Sequence, residues 1–202
     1  MMSTSCCFRG RMVLPLCAAL LGCSPRTQAA ATPAAAAAAG PASPAPDDSS
    51  RVAADSFPWL EVDSAGHTAS LDLLVTRKPG ARSAVINGYR AGEARIIIPV
   101  GWTVKWNWRS TDPTAPHSLV VMVQREKIPL EGGRPSFSNA MTRMVTEGLR
   151  PGQNDQSTFE AEEAGWYWLM CGVPGHGLEG EWLELRVDPE FKTARVEIKK
   201  KT

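Results

Sequence analysis

Cys171-Gly172-Val173-Pro174-Gly175-His176 sets a thiol and an imidazole five positions apart on a Gly/Pro loop. Cys171 is the one cysteine in the second half of the chain, and it ends an apolar run, Trp166-Tyr167-Trp168-Leu169-Met170. A second histidine, His117, opens another such run, Ser118-Leu119-Val120-Val121-Met122-Val123. One thiolate and two imidazoles in one small β domain are the donor set of a mononuclear copper electron-transfer centre. In a near-trigonal plane these donors bind both Cu(II) and Cu(I), so little rearrangement accompanies the electron. A single cysteine is also often an inert core residue. The company of His117 and His176 argues against that reading of Cys171, whereas His67, after Gly66, reads as a surface residue.

Such donors need a rigid frame to hold them. Short β-like runs recur at 59–62, 69–76, 83–86, 94–98, 103–108, 117–123, 156–160, 166–171 and 182–187. Turn signals separate them, among them Pro79-Gly80, Asn87-Gly88, Gly101, Asp112-Pro113, Gly132-Gly133 and Pro151-Gly152. Residues 103–108 alternate polar and apolar, as a half-buried strand requires. No segment keeps a helical period for long, and only 138–146 reads as one short helix. Many short strands at this spacing predict an all-β domain over 51–188, an antiparallel sandwich or barrel. The tail, 189–202, carries an alternating stretch at 194–198 that reads equally as an edge strand or a frayed end.

The 202 residues include seven Trp against two Tyr, and the formal net charge is +1. That charge gives no footprint for a nucleic-acid partner. The first segment carries Arg9 and Arg11, then an apolar stretch from Met12 to Leu21, too short to span a bilayer. Residues 1–22 therefore read as a signal peptide. Leu20-Leu21-Gly22-Cys23 resembles a bacterial lipobox, which implies cleavage before Cys23 and acylation of that cysteine. An ordinary secretory cut at the Ala-rich sites after Thr27 is the alternative. Loss of the two arginines takes the formal charge from +1 to −1. Residues 23–50, mostly Ala, Pro, Ser and Gly, have too few large apolar side chains for a core and read as a lipidated, disordered tether. With Cys23 acylated, Cys171 has no partner for an intrachain disulfide, and in an oxidising compartment metal coordination would protect it.

Several stretches together carry a family resemblance. They are Asn87-Gly88-Tyr89, Ile96-Ile97-Ile98-Pro99-Val100-Gly101-Trp102, Pro116-His117-Ser118, Gly148-Leu149-Arg150-Pro151-Gly152-Gln153, Ala164-Gly165-Trp166-Tyr167-Trp168 and the Cys171–His176 loop. Over roughly 69–187 the chain resembles the sulfocyanins, blue-copper proteins of the cupredoxin superfamily. The resemblance implies a cupredoxin-type Greek-key β-sandwich with one copper held equatorially by His117, Cys171 and His176. It makes Ser118 a residue that steadies the first of these ligands. One position departs from the family. The weak axial methionine expected five residues after the loop histidine is Glu181 here. A carboxylate is a harder, more basic donor that favours Cu(II) and lowers the potential if it binds. If it does not bind, copper is three-coordinate or takes a water. Met170 and Met122 point away by strand alternation, while Met141 and Met144 lie in a segment the sequence does not place.

The resulting expectation is a lipid-anchored, extracytoplasmic electron carrier, not an enzyme. Its partners would be redox proteins such as cytochromes or a membrane oxidase, with electrons leaving by the His176 edge. Two alternatives stand beside it. One is a red-copper protein with catalytic or nitrogen-oxide chemistry, motivated by Glu181. The other is a copper-delivery protein, for which the Met-rich or His-rich tracts are absent.

Overall fold

The computed structural model describes residues 57–199. The expected leader (1–22), Cys23 and the tether to residue 50 lie outside the described residues. Ten strands follow in order: β1 (Leu60–Asp63), β2 (Thr68–Thr76), β3 (Val85–Ile86), β4 (Ala94–Pro99), β5 (Thr103–Ser110), β6 (Val120–Val123), β7 (Asn154–Glu160), β8 (Gly165–Met170), β9 (Trp182–Asp188) and β10 (Arg195–Ile198).

They form two five-stranded sheets. One runs β1-β2-β5-β7 with β3 added beside β2, and the other runs β10-β4-β9-β8-β6. The expectation of an antiparallel array is corrected at two places, because β2 pairs β5 and β4 pairs β9 in parallel. Parallel neighbours cannot be joined by a tight turn, so the chain crosses between sheets to place them. That crossing turns two ladders into a sandwich over one core.

The core follows from alternation. On β5, Val104, Trp106 and Trp108 point inward while Lys105, Asn107 and Arg109 stay outside. Leu71, Leu73 and Val75 of β2 join them, facing Ile96 and Ile98 of β4, Leu169 of β8 and Leu183, Leu185 and Val187 of β9. The opposite face of β8 and β6 carries a second, smaller apolar cluster of Val120, Trp168 and Met170, with Met122, Ile128, Val145 and Trp182 against it. Met170 and Met122 thus lie on the side that alternation predicts.

Two further segments settle differently from the sequence reading. Residues 138–146 form no helix. Asn139 and Met144 have φ of 64° and 52°, outside the right-handed helical region. Their neighbours bond across to the β6 side instead, Val121 N to Ala140 O at 2.9 Å and Thr142 N to Leu119 O at 2.8 Å. The alternating tail does form a strand: β10 pairs antiparallel with β4. Rings and guanidiniums also hold it. Arg95 and Arg186 both lie over Trp166, at 4.6 and 4.9 Å, and Arg186 and Arg195 both lie over Phe191, at 5.7 and 4.2 Å.

Leu73 is fully buried between the sheets. Leu73→Ala should cost about 2–5 kcal/mol of stability, read as a lower urea midpoint with an unchanged slope. A midpoint within error of the parent would mean that this core is not close-packed.

Candidate metal centre

The β8–β9 hairpin builds most of the site. Its register pairs Met170 with Trp182, and the ladder continues one step, with Cys171 N donating to Glu181 O at 3.0 Å. Residues directly opposite on neighbouring strands share a face. The thiol and the carboxylate are therefore side by side because of register. Between them the loop folds back on itself: His176 N donates to Val173 O at 3.2 Å and Glu181 N to His176 O at 3.0 Å. Gly175 sits at φ 86°, a region that strains any residue with a Cβ. Gly172 does not share that conformation. A Cβ there would lie 2.4 Å from Val145 Cγ1, so its glycine is needed for space.

His117 arrives separately. It lies three residues before β6, pinned by an isolated bridge to Leu149, His117 N to Leu149 O at 3.1 Å and Leu149 N to His117 O at 2.7 Å. Ser118 follows it but serves the sulfur. Its amide points at Cys171 Sγ from 3.4 Å, its hydroxyl lies 3.8 Å from the same sulfur, and that hydroxyl accepts from Gly172 N at 2.9 Å while donating to Val145 O at 2.6 Å.

His117, Cys171, His176 and Glu181 each offer one donor atom, and these atoms all lie within 4.8 Å of one another. Cys171 Sγ is 3.5 Å from His176 Nδ1. Both Glu181 oxygens stand 2.9 Å from His117 Nδ1, and one stands 3.2 Å from His176 Nδ1. The two rings lie 4.9 Å apart, tilted by 48°. Cys171, His117 and Glu181 are buried, and the His176 side chain keeps 15% exposure. Met141 and Met144 are exposed, and His67 stacks on Trp102.

The sequence reading missed one residue of this cluster. Asp112, taken as part of a turn, is fully buried and meets His117 Nε2 at 2.8 Å. It does make a turn, accepting from Thr114 N at 2.8 Å. An Asp-Pro-Thr turn five residues before a candidate ligand histidine is the signal that was available.

Burial raises the Glu181 carboxyl, but hydrogen bonds from His117 and His176 and their charge outweigh it and hold it below 4.5. Burial likewise opposes charge on His117, yet Glu181 first and Asp112 second raise it above 6.5. Burial, then the Glu181 charge, pushes the Cys171 thiol well up. A thiolate here thus needs a cation beside it. The four donors fit one. A thiolate, two imidazoles and one carboxylate suit a borderline-soft divalent ion, and the Irving–Williams order places Cu(II) above its neighbours.

A family model described as the sulfocyanin (SoxE) domain matches residues 56–196, well over half of the chain. The chain belongs to the sulfocyanin family. A curated sulfocyanin of Sulfolobus acidocaldarius is 27% identical over 129 residues, covering 60% of this chain. The chain spans 64% of that relative's length. Among solved structures, rusticyanin from Thiobacillus ferrooxidans is 20% identical with a TM-score of 0.45, covering 64% of this chain and 86% of its own. A multicopper oxidase, mgLAC, is 22% identical with a TM-score of 0.44, over 60% of this chain and 39% of its own. In this sulfocyanin-family sandwich, Glu181 stands where the family resemblance leads one to expect a methionine.

The site's ionisation sets an acid-side optimum for the metal-free domain. The stabilisation from Glu181, whose pKa folding lowers, is full above 4.5 and is lost as pH falls through its folded value. That from His117, whose pKa folding raises, is full below 6.5 and is lost as pH rises through its folded value. The urea midpoint of the metal-free protein should therefore peak between pH 4.5 and 6.5. A midpoint still climbing from pH 6.5 to 8 would mean the imidazole–carboxylate cluster does not form.

Proposed function

We propose that this protein carries single electrons on one copper ion held by His117, Cys171, His176 and Glu181. The observation that carries the reading is the convergence of these four donors from two separate segments of a sulfocyanin-family domain. Bound there, copper supplies a one-electron couple between Cu(II) and Cu(I). The protein's part is to keep the donors fixed across that change. The hairpin register holds Cys171 and Glu181, the Leu149 bridge holds His117, and the tight loop holds His176.

Glu181 tunes the couple in this reading. A carboxylate in place of a thioether adds a negative charge to a buried site, which favours the more positive oxidation state. It moves the spectrum away from blue, towards green or red. The same ligation motivates the second reading, a red-copper centre that binds nitrogen oxides.

Electrons would pass at the His176 edge. Leu130 and Leu178 are each about 60% exposed. Both belong to segments that meet at the ligand loop, since Gly175 N donates to Leu130 O at 2.7 Å. Such an apolar rim suits brief docking by a redox protein, such as a cytochrome or a membrane oxidase. Acylated Cys23 would hold the domain outside the cytoplasm by its Ala/Pro-rich tether.

Glu181→Met tests the site. It should raise the reduction potential and turn the visible spectrum blue; an unchanged potential and spectrum would exclude carboxylate ligation. Azide or nitric oxide that shifts the wild-type bands would favour the second reading. Mass spectrometry of the native N-terminus tests the anchor. An acylated Cys23 is expected, and an unmodified start beyond it would remove the anchor.

A further inference from the structure

We infer that Asp112, backed by Arg77, fixes the ring of His117 and sets the charge that this ligand presents to the metal. The inference rests on the copper reading above.

Asp112 has no exposed surface and no spare oxygen. Oδ2 accepts from His117 Nε2 at 2.8 Å and from Arg77 Nε at 2.7 Å. Oδ1 accepts from Thr114 N at 2.8 Å and from Thr114 Oγ1 at 2.6 Å. Its own amide donates to Ser110 Oγ at 3.2 Å, which ties the turn to the end of β5. Arg77 is anchored in turn by Arg82 O at 2.9 Å. The carboxylate therefore cannot follow the ring, and the ring must follow the carboxylate.

Each nitrogen of His117 then has one task. Nε2 keeps its proton and donates it to Asp112. Nδ1 faces Glu181 and the sulfur side of the cluster as the donor atom. A backbone carbonyl would also select this tautomer. A carboxylate does more, because its charge makes the imidazole a stronger donor. Arg77 offsets part of that charge. The chain thus has two opposed handles on the same ligand, neither of which touches the metal. Asp112 and Arg77 are positioning residues.

A purely structural role for Asp112, as turn former and salt-bridge partner, makes a different forecast. Asp112→Asn keeps an acceptor for the turn and a polar group beside Nε2, and loses only the charge. We expect the ratio of Cu(II) to Cu(I) affinity to fall about tenfold, a rise of about 59 mV for one electron. Arg77→Gln unmasks the carboxylate and should shift the potential the other way. Voltammetry of the copper-loaded proteins reads both. Shifts of the same sign, or no shift in Asp112→Asn, would overturn the inference. Wild-type protein loaded with Cu(I) provides a check that needs no variant. Nitrogen-15 edited proton spectra should show a slowly exchanging proton on His117 Nε2, and its absence overturns the inference even if neither variant folds. A wild-type protein that takes up copper without thiolate absorption would sink the electron-carrier reading and this inference together. Normal loading with unmoved variants would sink this inference alone.

Discussion

One backbone hydrogen bond, from Cys171 N to Glu181 O, decides where the chemistry sits. It extends the β8–β9 ladder a single pair beyond Met170 and Trp182. A slip of one residue would turn every side chain of that ladder to the other face. The thiol would then leave His117, and Trp168 and Met170 would be driven from the small outer cluster into the main core. The core packing of Leu169, Leu183 and Leu185 therefore enforces the geometry of the site. Stability and ligand placement are one constraint here.

The second half of the site comes from irregular chain. Residues 111–119 run between β5 and β6 as a path of side-chain and bridge contacts. The Asp112 turn, the Leu149 bridge and the Ser118 hydroxyl succeed one another along it. Ser118 joins this path to the ligand loop, because its hydroxyl accepts from Gly172 N and its amide approaches Cys171 Sγ. An irregular segment needs such polar ties, since its buried backbone groups have no ladder to satisfy them.

The sequence made the strands legible because alternation and turn residues are local signals. The run 103–108 needed only its own residues to be read, and His117, Cys171 and His176, which the fold brings together, were singled out by residue type and spacing. What was hidden depended on contacts distant in sequence. The segment 138–146 has helix-compatible composition, yet its backbone bonds to the β6 side, and Asn139 and Met144 take left-handed angles to do so. Ser118 was assigned to its neighbour His117, but its polar contacts run 53 residues ahead to the Cys171 sulfur. The need for glycine at 172 was hidden as well, because it is set by Val145, whose Cγ1 would lie 2.4 Å from a Cβ there. Asp112 was read only as a turn because its second role depends on where a side chain five residues away points.

The charges of the site can be weighed against the proposed copper couple. Asp112 is matched by Arg77, so that pair is close to neutral as a unit. Glu181 and an ionised Cys171 remain, two negative charges in a buried place. A divalent ion would balance them, and a monovalent one would leave a net negative charge away from water. Uncompensated buried charge is costly, so the donor set matches the oxidised state better than the reduced one. With methionine in the position of Glu181, the same count would leave the divalent state in excess and the monovalent state balanced. Under the proposed function, that single substitution inverts which state the fold's charges complement. With glutamate there the electron is easier to give up than to hold, and with methionine the reverse. The identity of residue 181 sets that balance, and the Arg77–Asp112–His117 contacts adjust it.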